Sequence, residues 1–118
     1  MDTQLSESEL RVMAIVWREN GASARHIADV LAQEVGYSAS ATYTLIGRCI
    51  KKGALCRRDP GYMCLPLISQ VDVQNRETDA LVDRVFEGSA DKLFSALVSR
   101  KKVSQKEIDR LRKMVDDM

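Results

Sequence analysis

Apolar residues recur along this chain in short groups separated by polar stops, and their spacing predicts helices with one interruption. Leu10, Met13, Ala14 and Trp17 stand at helical spacing. Ser6 precedes Glu9 by three positions, the pattern of a capping box, and Leu5 and Leu10 can staple its two sides. A helix therefore starts near Glu7 and stops before Asn20-Gly21. Ser23 can cap a second helix with Ile27, Val30 and Leu31 inside, ending by Gly36. Ser38 or Ser40 caps a third. Its apolar stripe is Leu45, Ile46, Cys49 and Ile50, its other side reads Ser40, Tyr43, Thr44, Gly47, Arg48 and Lys51, and Gly53 ends it.

The helical pattern then breaks. Asp59-Pro60-Gly61 is a turn signal between Ala54–Arg58 and Tyr62–Leu65, each short enough to be one strand of a hairpin. Pro66 cannot donate to a ladder, so the second strand is an edge or ends there. From Val71 to Glu87 the pattern is helical again, with Val73, Ala80, Leu81, Val85 and Phe86 apolar. Gly88 stops it, Ser89 starts a helix carrying Leu93, Phe94, Leu97 and Val98, and Ser104–Glu107 repeats the capping box before Ile108, Leu111, Met114 and Val115. The expected fold is mostly α with a small β-hairpin: three helices, the hairpin, then three helices.

Composition narrows the class. The 118 residues are 45% hydrophobic and 30% charged, with six glycines and two prolines, which suits one or two small globular units and excludes disorder and collagen-like repeats. No apolar run approaches the ~20 residues of a membrane span, and MDTQLSESEL carries no signal-peptide pattern, so no membrane partner and a cytoplasmic location are expected. Cys49, Cys56 and Cys64 are an odd set with no C-x-x-C spacing, and they read as small apolar residues. The sharper alternative, a redox or metal site of Cys56 and Cys64 across the hairpin, supplies only two thiolates where a closed zinc site needs four ligands. His26, the only histidine, falls in the first turn of the second helix and reads as a surface or packing residue. No Gly-rich phosphate loop or nucleophile–base spacing is present. No metal, cofactor or catalytic activity is expected.

Net charge is only +1, but its distribution is uneven. From Val35 to Arg58 there is no acidic residue, while Arg48, Lys51, Lys52, Arg57 and Arg58 give +5. The stretch from Ser69 to Met118 holds ten basic and ten acidic residues. Charges separated by more than ~8–10 Å are screened, so a local basic stripe attracts phosphate whatever the distant tail carries. Two helices, a polar third helix and a basic hairpin are the order of a winged helix-turn-helix. The third helix would enter the ~12 Å major groove of duplex DNA. Its candidate contacts are Ser38, Ser40, Thr42, Tyr43, Thr44, Gly47, Arg48 and Lys51, with Arg57, Arg58 and Tyr62 from the wing. The alternative is a winged-helix module that binds protein rather than DNA.

The runs WRENGASARHIADVLAQ and YSASATYTLIGRCIKKGALCRRDPGY resemble the penicillinase, methicillin-resistance and copper-responsive repressors, the BlaI/MecI/CopY family. The resemblance spans the chain. It includes Ser6, Glu9, Val12, Met13 and Trp17 near the start and Arg48, Ile50, Lys51, Lys52, Gly53, Ala54 and Leu55 from the end of the third helix onward. It implies a transcriptional repressor with a DNA-binding winged helix over 1–68 and a helical dimerisation region over 69–118, bound as a homodimer to a palindromic operator. It also implies a protease or other signalling component as inactivator. Where the family has its Asn-Phe cleavage site this chain has Ala96-Leu97, a departure that argues against control by the same protease, and the paired C-x-C motifs of the copper branch are absent. Independently, so small a helical tail rarely builds a self-sufficient core. Leu81, Val85, Phe86, Phe94, Leu97 and Leu111 are expected to pack on a second copy.

Overall fold

The Ser6 hydroxyl accepts the Glu9 backbone N–H at 3.1 Å while the Glu9 carboxylate accepts the Ser6 N–H at 2.7 Å, and this closed capping box starts the first helix. The computed structural model describes residues 4–118. Its elements are α1 (Glu7–Glu19), β1 (Ala22–Ser23), α2 (Ala24–Val35), α3 (Ala39–Lys51), β2 (Leu55–Arg58), β3 (Met63–Pro66), α4 (Gln70–Val85), α5 (Ala90–Ser99) and α6 (Gln105–Asp116). The mostly helical architecture with a hairpin after the third helix is as expected. Ser23, Ser38, Ser89 and Ser104 each cap the helix that follows.

Two local expectations change, and the alternative left open at Pro66 is decided. The strands form a three-stranded antiparallel sheet in the order β1-β3-β2, so the hairpin gains a third, two-residue strand. Ala22 lies opposite Cys64 and Arg57 opposite Cys64 on the other side, which makes β3 central. Pro66 ends that strand rather than marking an edge. In α1 the buried face is Val12, Met13, Ile15 and Val16, whereas Ala14 is exposed and Leu10 and Trp17 are half-buried. The apolar residues cover more than one stripe of this helix, and packing selects the one facing α2 and α3. Gly21 has φ of +108°, and an added Cβ would lie 2.8 Å from Leu65 Cδ2, so the turn from α1 into β1 requires glycine.

The described chain divides into two compact units, one ending at Gln74 and one spanning Asn75–Met118. The first has a continuous core in which Met13, Ile15, Ile27, Ile46 and Leu55 are almost completely buried, each worth ~1.5–3 kcal/mol. Val73 is buried in this core, so the opening turn of α4 belongs to the first unit. The Trp17 indole N–H donates to the Ile68 carbonyl at 2.9 Å. The second unit differs in kind: no residue of α5 or α6 is buried.

Candidate nucleic-acid interface

Helix periodicity divides α3 cleanly. Thr42, Leu45, Ile46 and Cys49 are buried, while Ser40, Ala41, Tyr43, Thr44, Gly47, Arg48 and Lys51 are exposed. Thr42 is a correction to the sequence reading, which named it among the candidate DNA contacts. Its residue is fully buried, and its hydroxyl has no hydrogen-bond partner among the described residues. Position 42 adjoins the polar stripe along the helix, and a β-branched residue of its size fills a core site as well as a surface one.

The start of α3 is organised by Ser38, whose hydroxyl accepts the Ala41 N–H at 3.1 Å and lies 3.5 Å from the Ser40 hydroxyl. Ser38 is thus committed to the cap. The Thr44 hydroxyl donates to the Ser40 carbonyl at 3.0 Å and leaves its lone pairs outward. Helices α2 and α3 carry no acidic residue in the first turn, whereas α1, α4, α5 and α6 all do. The partial positive charge at those two N-termini is therefore not neutralised by the helix's own side chains.

The wing is joined to α3 through aromatic rings. Tyr43 and Tyr62 meet edge to face, with centroids 5.9 Å apart and planes at 77°. Arg57 lies over the Tyr62 ring at 3.8 Å and its Nε reaches the Asp59 carboxylate at 3.1 Å. Tyr62 is held in the left-handed region, φ 49°, where its N–H donates to Asp59 Oδ1 and its carbonyl accepts from Ala24 at the start of α2. Chain segments from α2, α3 and the wing thus converge on one tyrosine. Arg48, Lys51 and Arg58 are exposed and make no ion pair with the described residues.

Two features of this region are not evident from residue order. Lys52, counted in the basic run, faces inward: its Nζ lies 2.6 Å from Glu9 Oε1. The signal was the capping-box glutamate itself, since a buried carboxylate needs a cation. The second is the tyrosine contact, which joins positions nineteen apart through a bend no local motif encodes. All three cysteines are free, Cys49 and Cys64 buried and Cys56 half-buried. Among the described residues no cluster of His, Cys, Asp and Glu could hold a metal. Burial, with the nearby Glu9 carboxylate adding to it, pushes the Cys49 thiol up to about 12, and burial pushes Cys64 up to about 11, values at which thiols are unreactive. His26 is exposed and pairs with Glu19 at 2.9 Å.

The comparisons with known proteins point the same way. The family model described as penicillinase repressor matches residues 5–117. The methicillin resistance regulatory protein MecI of Staphylococcus aureus (strain N315) is 27% identical over 115 residues, covering 96% of this chain and 94% of that protein. The penicillinase repressor of Bacillus licheniformis is 23% identical over 116 residues, covering 97% and 91%. Among solved structures, the DNA-binding domain of the repressor BlaI matches with a TM-score of 0.54 at 30% identity, covering 58% of this chain and 87% of that one. The monomeric form of Bacillus licheniformis BlaI in complex with the blaP half-operator matches with a TM-score of 0.53 at 28% identity, covering 61% and 90%.

Proposed function

This chain belongs to the penicillinase repressor family, and from that premise we propose that it is a sequence-specific DNA-binding transcriptional repressor acting in the cytoplasm without catalytic activity. The observation that carries the reading is the outward face of α3. Arg48 and Lys51 stand there without acidic partners, beside Ser40, Tyr43, Thr44 and the open backbone at Gly47. A helix of this width would enter the major groove, where Arg48 would read a base edge and Lys51 would meet phosphate. Arg58 and the Arg57–Tyr62 pair of the wing would reach the flanking backbone. Ser38 contributes through the helix start it caps. Thr42 takes no part in this reading.

Residues 1–68 carry DNA binding and 69–118 dimerisation in this proposal. What supports it is apolar surface that the second unit leaves uncovered: Val85 is 63% and Phe94 51% exposed, Leu81 and Leu111 are exposed, and Phe86 and Leu97 are half-buried. A two-fold partner would cover these side chains and present two α3 helices to half-sites ~34 Å apart. Among the described residues no helix is long and apolar enough to cross a membrane, so no membrane contact is invoked. A protease or other signalling component would release the repressor. Ala96 and Leu97 lie within α5 and are half-buried, so cleavage there would first require α5 to open.

Selection from a pool of random duplexes tests the function. The expected result is a two-fold symmetric consensus whose binding weakens steeply with salt. Retention of no duplex at low salt would overturn the reading and favour a protein-binding module.

A further inference from the structure

Lys51 and Lys52 are neighbours in sequence with the same chemistry, yet the fold separates them. Lys51 is exposed in the last turn of α3. Lys52 is the C-cap residue of that helix, and its ammonium donates to Glu9 Oε1 at 2.6 Å and to the Gln4 carbonyl at 2.9 Å. The Glu9 side chain is 3% exposed and the same oxygen accepts the Ser6 N–H at 2.7 Å. One carboxylate thus closes the first turn of α1 and holds the last turn of α3. One turn back, the Cys49 thiol lies 3.8 Å from the Glu9 carbonyl, a second tie between the same two helices.

We propose that Glu9 and Lys52 are positioning residues for DNA readout, their bridge fixing the setting of α3 against α1 without Lys52 touching the duplex. The inference rests on α3 being the reading helix. Its physical basis is a difference in tolerance. A bidentate base contact needs its side chain placed within ~0.5 Å and 10–20°, whereas attraction to phosphate is long-ranged and forgiving. The Lys52 side chain is 24% exposed but the Glu9 carboxylate is withdrawn from water, so parting the two leaves an uncompensated buried charge and the bridge resists opening. A helix held by apolar contacts alone can rotate and slide by small amounts, and a helix pinned at its C-terminal end cannot. Arg48 lies one turn from the pin, so a loosened bridge would blur its aim before it weakened the general hold on DNA.

The test compares the full-length protein with Lys51→Met, Lys52→Met and Glu9→Gln, on a duplex selected by the wild type and on a scrambled duplex of equal length, across a salt series. Gln at position 9 keeps the capping box, since that motif accepts Glu or Gln, while removing the charge that holds Lys52. Lys51→Met should weaken both duplexes alike and lower the salt slope by about 0.9 for each protomer bound. Lys52→Met and Glu9→Gln should leave the slope unchanged and reduce the selected-to-scrambled ratio by roughly ten-fold, about one base pair's discrimination. Lys52→Arg should restore most of that ratio. A slope lowered by Lys52→Met as by Lys51→Met would make Lys52 a phosphate contact and overturn the proposal, as would an unchanged ratio in Glu9→Gln. Should Lys52→Met not fold, Glu9→Gln decides the matter alone. A wild type that binds neither duplex would sink the DNA-binding reading itself, a result distinct from either outcome.

Discussion

The ring of Tyr43, on α3, meets the ring of Tyr62, at the end of the hairpin turn, edge to face with centroids 5.9 Å apart. This contact ties the outward face of α3 to the segment that carries Arg57 and Arg58. Tyr62 is further held by Asp59 and by the start of α2, and Arg57 lies over its ring at 3.8 Å.

The pair should therefore be energetically coupled. In a double-mutant cycle with Tyr43→Ala and Tyr62→Ala, read by urea denaturation, the coupling is expected at about 0.5–1.5 kcal/mol, the worth of an edge-to-face pair beyond its buried area. Tyr62→Ala should also weaken DNA binding more than its own contact warrants, since Arg57 loses its platform. Additive single-mutant effects would show that the wing and helix are held independently.

Thr42 makes the opposite kind of prediction. Its hydroxyl is buried without a partner, and such a group costs about 1–3 kcal/mol relative to a satisfied one. Thr42→Val keeps the shape and removes the polar atom. Thermal denaturation should find the variant as stable as the wild type or up to ~2 kcal/mol more stable, with DNA affinity unchanged. A clear loss of affinity with an intact fold would return Thr42 to the interface.

How far the interface was legible beforehand depends on the range of the forces involved. The caps at Ser6, Ser23, Ser38 and Ser104 and the Asp59-Pro60-Gly61 turn are encoded within four residues of themselves, and all are found. The polar side of α3 was visible from its 3.6-residue period. Thr42 was misplaced because threonine suits either side of that boundary, and only the packing of α1 and α2 decides. The inward direction of Lys52 is not legible in a charge count, because its partner lies 43 positions away. Strand β1 was invisible because two residues carry no period.

Arg48 should behave as a base-reading residue. Arg48→Ala is expected to cost about 1–3 kcal/mol on the selected duplex and to relax the preference at one position of each half-site. The measurement is affinity for a panel of single-base variants of that duplex. Uniform weakening across the panel would assign Arg48 to phosphate instead.

Acid should loosen the α1–α3 junction. Burial pushes the Glu9 carboxyl up, but the hydrogen bonds from Lys52 and the Ser6 N–H, with the charge of Lys52, outweigh it and hold the group below its ordinary 4.5. A carboxyl depressed in the folded state contributes stability that is present above its unfolded value and is lost as pH falls through the folded one. Glu107, held down by the Ser104 backbone N–H in the second capping box, shifts in the same direction. Denaturant titrations below about pH 4.5 should show a steeper fall for the wild type than for Glu9→Gln, which cannot take up that proton. Parallel curves would mean that the bridge does not contribute to stability.

The apolar tail yields the last prediction. Phe94 is 51% exposed and sits on α5, a helix with no buried residue, so a charge at this position would cost a lone chain little. If that ring packs against a second copy, Phe94→Glu places a carboxylate in each half of a two-fold interface, where both desolvation and mutual repulsion act against association. Sedimentation should find the wild type as a dimer and Phe94→Glu as a monomer, with the helical content of the two alike. Binding to one half-site should then be unaffected, because α3 and the wing belong to the other compact unit. Binding to the full palindrome should fall by about 10²–10⁴, the advantage lost when two linked sites become independent. A monomeric variant that kept full affinity for the palindrome would separate dimerisation from operator recognition, and a variant that remained dimeric would move the interface elsewhere on the tail.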